Sequence, residues 1–425
     1  MAKFIDLFAG AGGLSEGFYQ EDFKALIHVE IDKYACETLK ERMRFYEYDE
    51  EVIEEAVLCG DMTEPNIIDE IERRIRFVEN QDRIARNELP IGPEDTIENI
   101  VDVVVGGPPC QSFSTAGRAR DPHGMRNDPR NFLFENYIHI LEHFTPKMFV
   151  FENVVGLLSA RVNDELVLNT IFERMRNAGY RVMHKLEERN NIVLNSVNYG
   201  VPQTRKRVII IGVREDLNIT PKEVYQMIEK THYGPGEYTS INELQPFVTV
   251  AEAIGDLPRL QPGDGQDEIH FVNNKLNRYT EIIRDENFDK LYNHMARTHN
   301  EQDIERYRLM SQNEWTLRQL LENRPDLDNG RAFGNSYVVQ NANLPGRTII
   351  AHLYKDGNQF IHPDYNQART FTVREAARIQ SFPDNFRFMG SRTQQFKQVG
   401  NAVPPIMARS IAMAVNEALE RLNQE

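Results

Sequence analysis

The chain has 425 residues, 40% hydrophobic and 27% charged, with a formal net charge of −16, an ordinary globular make-up long enough that two domains are expected. No apolar run approaches the roughly 18 residues of a bilayer span, and the start "MAKFIDLFAG" leaves no room for a signal peptide. The acidity does not exclude a nucleic-acid partner: Glu37 to Ile100 holds 19 acidic against 8 basic residues, so an acidic lobe leaves a neutral or basic cleft free elsewhere.

Lys3 to Phe8 predicts a strand that runs into the turn "FAGAGG", with a helix from about Leu14. The pattern repeats in "ALIHVEIDKYACETLKERM", where a strand ends at Glu30 and a helix follows. "AVLCGDMTE" predicts a third strand ending near Cys59. Residues 64–98 are charged, and the apolar spacing in "NIIDEIERRIRFVENQDRIARN" is helical. "IVDVVVGG" is apolar throughout, as in a strand buried on both faces. "NFLFENYIHILEHF" predicts a helix, "KMFVFENV" a fifth strand, "ELVLNTIFERMRNAGY" a helix stopped by Gly179, and "RKRVIIIGV" a late strand. Alternation as far as Arg214 predicts an α/β fold with an open, doubly wound, mostly parallel sheet.

From Asp216 to about Pro345, proline and glycine break the regularity and predict a second, smaller domain. "TVREAARIQSFPDNF" reads as a short helix stopped at Pro383, and "IMARSIAMAVNEALERLNQE" as an amphipathic helix whose apolar face belongs against the first domain. The expected divisions are 1–216, 217–391 and a returning segment 392–425.

Ligands of such sheets gather at the carboxyl ends of the strands. The "FAGAGG" turn lets a ligand approach the backbone, and the helix after it offers free N–H groups. It lacks the G-x-G-x-x-G spacing of dinucleotide folds, and glycine turns are common. Glu30, at the second strand end, is placed to take both hydroxyls of a ribose; Asp61, after the third, is the same kind of residue. Either acid by itself is a solvated loop carboxylate, but a glycine turn with two strand-end acids describes an adenosyl-type pocket.

"GGPPCQSFS" follows the fourth strand. Cys36, Cys59 and Cys110 are odd in number and widely spaced, which argues against a disulfide framework or a zinc site and for a reducing cytoplasm. Packing is the usual fate of a free thiol. Two prolines at the shoulder of Cys110 gain a packing residue little, whereas a nucleophile needs a fixed backbone. The fifth strand brings Glu152, and "QTRKRV" adds Arg205 and Arg207, alternate residues expected to face the same way at a strand's start. A basic edge strand is the plainer reading of those arginines; thiol, carboxyl and guanidinium at neighbouring sheet positions are a rarer coincidence.

These segments, with "VEIDKYACET", "FENVVGLL", "QTRKRVIIIG", "RTFTVREAARIQSFPDNF" and "QVGNAVPP" in that order, resemble DNA (cytosine-5) methyltransferases of the prokaryotic restriction-modification type. The resemblance covers nearly the whole chain outside 64–100 and roughly 216–340. It implies the S-adenosylmethionine-dependent methyltransferase fold with an irregular target-recognition domain. It also implies methyl transfer from S-adenosyl-L-methionine to C5 of a flipped-out cytosine in a specific duplex sequence, through a covalent Cys110–C6 adduct. By the same resemblance Phe8, Ala9, Gly10, Gly12, Gly13 and Leu14 cradle the cofactor and Glu30 takes the ribose hydroxyls. Ile31 lies against adenine, where many members carry an aromatic residue, and Asp61 with Met62 bounds the ring. Pro109, Leu133, Asn401, Ala402 and Val403 complete the pocket. Cys110 is the nucleophile, Glu152 holds the ring edge, and Arg205 and Arg207 orient the base and Glu152. The stretch with Gln111, Ser114, Arg118, Arg120, Arg126 and Arg130 implies a lid on DNA, and 225–345 a base-reading region.

The expected partners are double-stranded DNA and a separately acting cognate restriction endonuclease, with no membrane and no metal. Two alternatives are a transfer-RNA cytosine-5 methyltransferase and a catalytically silent DNA-binding protein. The long variable region favours duplex DNA over the first. Intact Cys110, Glu152, Arg205 and Arg207 speak against the second.

Overall fold

The computed structural model describes residues 1–92, 95–97, 100–109, 133–162, 165–183, 191–237, 244–271, 276–285, 287–328, 330 and 336–424. The chain forms two compact units. The first takes Met1–Asn195, Lys206–Glu229 and Met407–Glu425; the second takes Ser196–Arg205 and Lys230–Ile406.

The strands of the first unit's main sheet are β1 (Lys3–Leu7), β2 (Lys24–Glu30), β3 (Val57–Cys59), β4 (Val103–Gly106), β5 (Met148–Val154), β6 (Tyr180–Val182), β7 (Val193–Asn195) and β8 (Lys206–Arg214). Among the described residues they make one sheet in the order β3-β2-β1-β4-β5-β8-β6, with β7 also on β8. The first five run parallel, and β8 runs antiparallel to β5, β6 and β7. This is the doubly wound, mostly parallel sheet that the alternation predicts. Its order reverses between β1 and β4, where such sheets bind their ligands. Val103, Val104 and Val105 are buried without alternation, because helices cover both faces.

The crossovers carry α1 (Gly13–Tyr19), α2 (Lys33–Phe45), α3 (Glu50–Ala56), α4 (Ile67–Ala85), α5 (Leu133–Phe144) and α6 (Val167–Asn177). Asp32 caps α2 by accepting from the backbone of Tyr34 and Ala35. The acidic stretch is an integral helix: Ile67, Ile71, Ile75 and Val78 form the buried stripe of α4. Its Glu79 pairs with Lys3 of β1 at 2.5 Å, and Arg74 reaches the carbonyls of Glu54 and Glu55 on α3. The helix ends at Ala85, earlier than the charged stretch itself. The last helix, α7 (Pro405–Gln424), belongs to this unit from Met407 onward. Gly17 of α1 lies so close to the backbone of Ala408 and Arg409 that no Cβ fits there, and Arg409 pairs with Glu21 at 2.6 Å.

In the second unit an antiparallel pair, Gly265–His270 with Lys290–Met295, stands beside short helices. Glu301–Asn313 and Leu317–Asn323 are helices in a region that reads as irregular, since their apolar content is low. Their caps explain them: Asn300 accepts from Asp303 N, and Thr316 with Gln319 forms a capping box. Tyr307, Met310, Leu317, Leu320 and Ile361 give them a small core. Elsewhere the unit is organised by buried arginines: Arg369 on Glu375 at 2.7 Å, and Arg378 on Asp256 and Asp384. Residues 196–205 bond into this unit through Thr204 N to Gly346 O and Gln203 Nε2 to Ile379 O. The expected first division at 216 therefore differs from the observed grouping, and 392–406 sits with the second unit rather than with the return.

Candidate active site

The strand ends of the first unit are level: Leu7 pairs with Gly106, Glu30 with Cys59, and Gly106 with Phe151. The loops that leave them therefore share one edge. Phe8, Gly10 and Gly12 all take left-handed φ values, of 56°, 56° and 82°. The left-handed φ is what favours glycine at position 12, and a Cβ there would also push on the end of the Leu39 side chain, 2.8 Å away at Cδ2. A Cβ on Gly10 would meet nothing within 4 Å, so the space above that loop is open.

Ala9 N donates to Val29 O at 3.1 Å and Gly10 N to Glu30 Oε2 at 2.8 Å, which ties the turn to β2. Glu30 Oε1 accepts from Ile31 N at 2.9 Å and Asp32 N at 2.8 Å. Burial raises the Glu30 pKa against the lowering pull of those three N–H groups. Ile31, although apolar, is 66% exposed. Gly13 and Leu14, buried, open α1.

Asp61 accepts from Thr63 N and Thr63 Oγ1, both at 2.9 Å, which shapes the loop after β3. Met62 is buried, and its carbonyl accepts from Asn136 Nδ2 of α5 at 2.5 Å. Leu133 begins α5 and is half-buried. Asn136 is a positioning contact that no motif singled out. Asn401, Ala402 and Val403 lie in the second unit, where the carbonyl of Ala402 accepts from both Gln380 Nε2 and Arg205 Nη2.

Glu152 points from β5 toward Arg207: Oε1 lies 2.8 Å from Arg207 Nε, and both side chains are largely buried. The antiparallel course of β8 makes this meeting possible, because its first residues lie beside the end of β5, with Arg207 opposite Val154. Burial lowers the Arg207 pKa while the Glu152 carboxylate pulls it up, and a guanidinium stays charged all the same. A Cβ on Gly107 would lie 2.7 Å from Glu152 Oε2. Asn153, buried, donates from Nδ2 to Pro108 O at 3.1 Å and so fastens the proline turn to β5. Pro109 follows, half-buried. Cys110, Gln111, Ser114, Arg118, Arg120, Arg126 and Arg130 lie outside the described residues.

Arg205 differs from the expectation that it faces the same way as Arg207. The strand begins only at Lys206, and Arg205 belongs to the second unit. Its buried guanidinium donates to the carbonyls of Ile349 at 2.6 Å, Gly400 at 3.2 Å and Ala402 at 2.9 Å. It holds backbone in place, and alternation along a strand gave no signal of that.

Among the described residues no group of three or more His, Cys, Asp or Glu forms a metal site, and no helix is long and apolar enough to cross a membrane. The sequence matches the profile of C-5 cytosine-specific DNA methylases over residues 2–71 and 72–417. It is 36% identical to the Type II methyltransferase M.Bpa9945I of Bacillus paralicheniformis, over 98% of each chain. It is 33% identical to the Type II methyltransferase M.DdeI of Desulfomicrobium norvegicum, over 99% of this chain and 89% of that one. Among solved structures, a protein described as a DNA modification methyltransferase encoded within an E. coli prophage superposes with a TM-score of 0.64 over 100% of both chains, at 22% identity.

Proposed function

Since the chain belongs to the C-5 cytosine-specific DNA methylase family and so methylates C5 of cytosine in DNA, we propose that it draws the methyl group from S-adenosylmethionine held along the β1–β2 edge. Phe8 to Leu14 would cradle that cofactor, Glu30 would accept the ribose hydroxyls, and Ile31 and Met62 would flank the adenine. The acid at a strand end, the exposed apolar Ile31 and the open space above Gly10 support this fit. The cofactor supplies an electrophilic methyl group when bound.

The residues of the chain do the rest. The Cys110 thiolate adds to C6 of the cytosine and turns C5 into a nucleophile. Glu152 shares a proton with N3, where the addition places charge, and Arg207 fixes the Glu152 carboxyl by the 2.8 Å contact. After methylation, loss of the C5 proton and expulsion of the Cys110 thiolate restore the aromatic ring. The base must leave the helix stack to reach these groups. The observation that carries the reading is the Glu152–Arg207 pair one strand from the turn that leads to Cys110. The second unit would read the duplex sequence, and a cognate restriction endonuclease, acting separately, would cut the same site unmethylated.

Incubation with methyl-labelled S-adenosylmethionine and mixed duplex DNA should give 5-methylcytosine, with a Cys110→Ala variant inactive yet still binding cofactor. Label on adenine, preferential methylation of transfer RNA, or turnover by Cys110→Ala would each overturn the assignment.

A further inference from the structure

Four buried polar side chains lie beneath the glycine turn and take no part in the chemistry above: Asp6 on β1, Ser15 and Tyr19 on α1, and His28 on β2. Ser15 Oγ hydrogen-bonds Asp6 Oδ2 and lies 3.3 Å from His28 Nδ1. His28 Nε2 lies 2.7 Å from the Tyr19 hydroxyl, and Asp6 Oδ2 is 3.8 Å from His28 Nδ1. With Ser15 giving its proton to the carboxylate, one arrangement of hydrogens satisfies the rest. Tyr19 donates to Nε2, and the Nδ1 proton goes to Ser15 Oγ. Burial pushes the Tyr19 pKa well above its ordinary value, which keeps that hydroxyl a donor.

The relay joins three elements. Asp6 stands just before the turn, Ser15 just after it, and His28 two residues before Glu30. It therefore spans from the turn to the strand that carries Glu30, below the point where Gly10 N meets Glu30 Oε2 at 2.8 Å. Burying a carboxylate, an imidazole and two hydroxyls is costly unless every one is bonded. An apolar set would fill the same volume without fixing an orientation.

We infer that Ser15, His28 and Tyr19 are positioning residues for the adenosyl end of the cofactor, setting the spacing between the glycine turn and Glu30 through the Asp6–Ser15–His28–Tyr19 relay. This rests on the reading that the pocket takes S-adenosylmethionine. None of the three need touch the cofactor; they act by holding in register the groups that do.

The test compares Ser15→Ala, Tyr19→Phe, their double variant and Glu30→Ala by calorimetric titration with S-adenosylmethionine, kinetics on duplex DNA and thermal unfolding. Ser15→Ala should weaken cofactor binding about tenfold. The kcat at saturating cofactor and the KM for DNA should stay within about twofold, a split that general loosening of the fold does not produce. Tyr19→Phe should act in the same direction, and the double variant should be no worse than Ser15→Ala, because both break one relay. If Ser15→Ala does not fold, Tyr19→Phe carries the test, since it deletes a single oxygen. Unchanged cofactor affinity in Tyr19→Phe and Ser15→Ala, or a fall in kcat equal to the fall in affinity, overturns the positioning role even where Glu30→Ala loses binding. Unchanged binding in Glu30→Ala overturns the pocket and the inference with it.

Discussion

At Gly107 the absent side chain leaves room for a carboxyl group rather than for backbone. The atom a Cβ would meet is Glu152 Oε2, the movable end of a side chain, at 2.7 Å. Gly107→Ala should therefore leave the thermal midpoint nearly unchanged while it pushes the carboxyl off Arg207. Displacement of that order lowers turnover about a hundredfold, and steady-state kinetics with cofactor saturating would register it; full activity would show that the carboxyl need not stand where it does. Glu30 makes a prediction in pH. Its pKa is raised from 4.5, chiefly by burial, and in the proposed pocket the form that would accept ribose hydroxyls is the carboxylate. Protonation thus competes with the cofactor, so affinity should fall on acidification and begin to fall above pH 4.5, with Glu30→Gln weaker and nearly flat. At this scale the sequence was legible where a residue lies near the end of an unmistakable strand, as Glu30, Glu152 and Arg207 do. Asn136 and Asn153 escaped because their partners are backbone carbonyls distant in the chain, and Ser15 because its partner Asp6 is a buried group on another element.

Among the elements, α4 carries the clearest lesson. A run rich in Glu and Arg looks like a solvated appendage, yet Ile71 and Ile75 are fully buried and Glu79 binds Lys3 on the first strand. Ile75→Ala should cost about 3 kcal/mol in urea unfolding. A loss below about 1 kcal/mol would mean that α4 is dispensable dressing on the sheet. The parallel strands could be read from the sequence because burial on both faces writes an unbroken apolar run, as in Val103 to Val105. The reversed course of β8 could not, since its "RVIIIGV" is equally apolar and pattern carries no direction. The short strands Tyr180–Val182 and Val193–Asn195 fell below any periodic signal.

At the scale of the whole chain, the backbone passes between the two units at 195–196, 205–206, 229–230 and 406–407. Composition shows roughly where regularity fades, but nothing in it marks the ten-residue excursion at 196–205. That excursion lies inside a stretch whose apolar flanks both belong to the first unit, and only tertiary hydrogen bonds assign it elsewhere. Anyone grafting the sequence preference of a relative onto this scaffold inherits the problem. A transplant of 230–406 by itself would leave Gln203, Thr204 and Arg205 facing foreign carbonyls in place of Ile379, Gly346 and Ile349. Such a hybrid should be poorly soluble until the donor's counterpart of 196–205 travels with the graft, so that the second unit is inherited as two pieces of chain rather than one cassette.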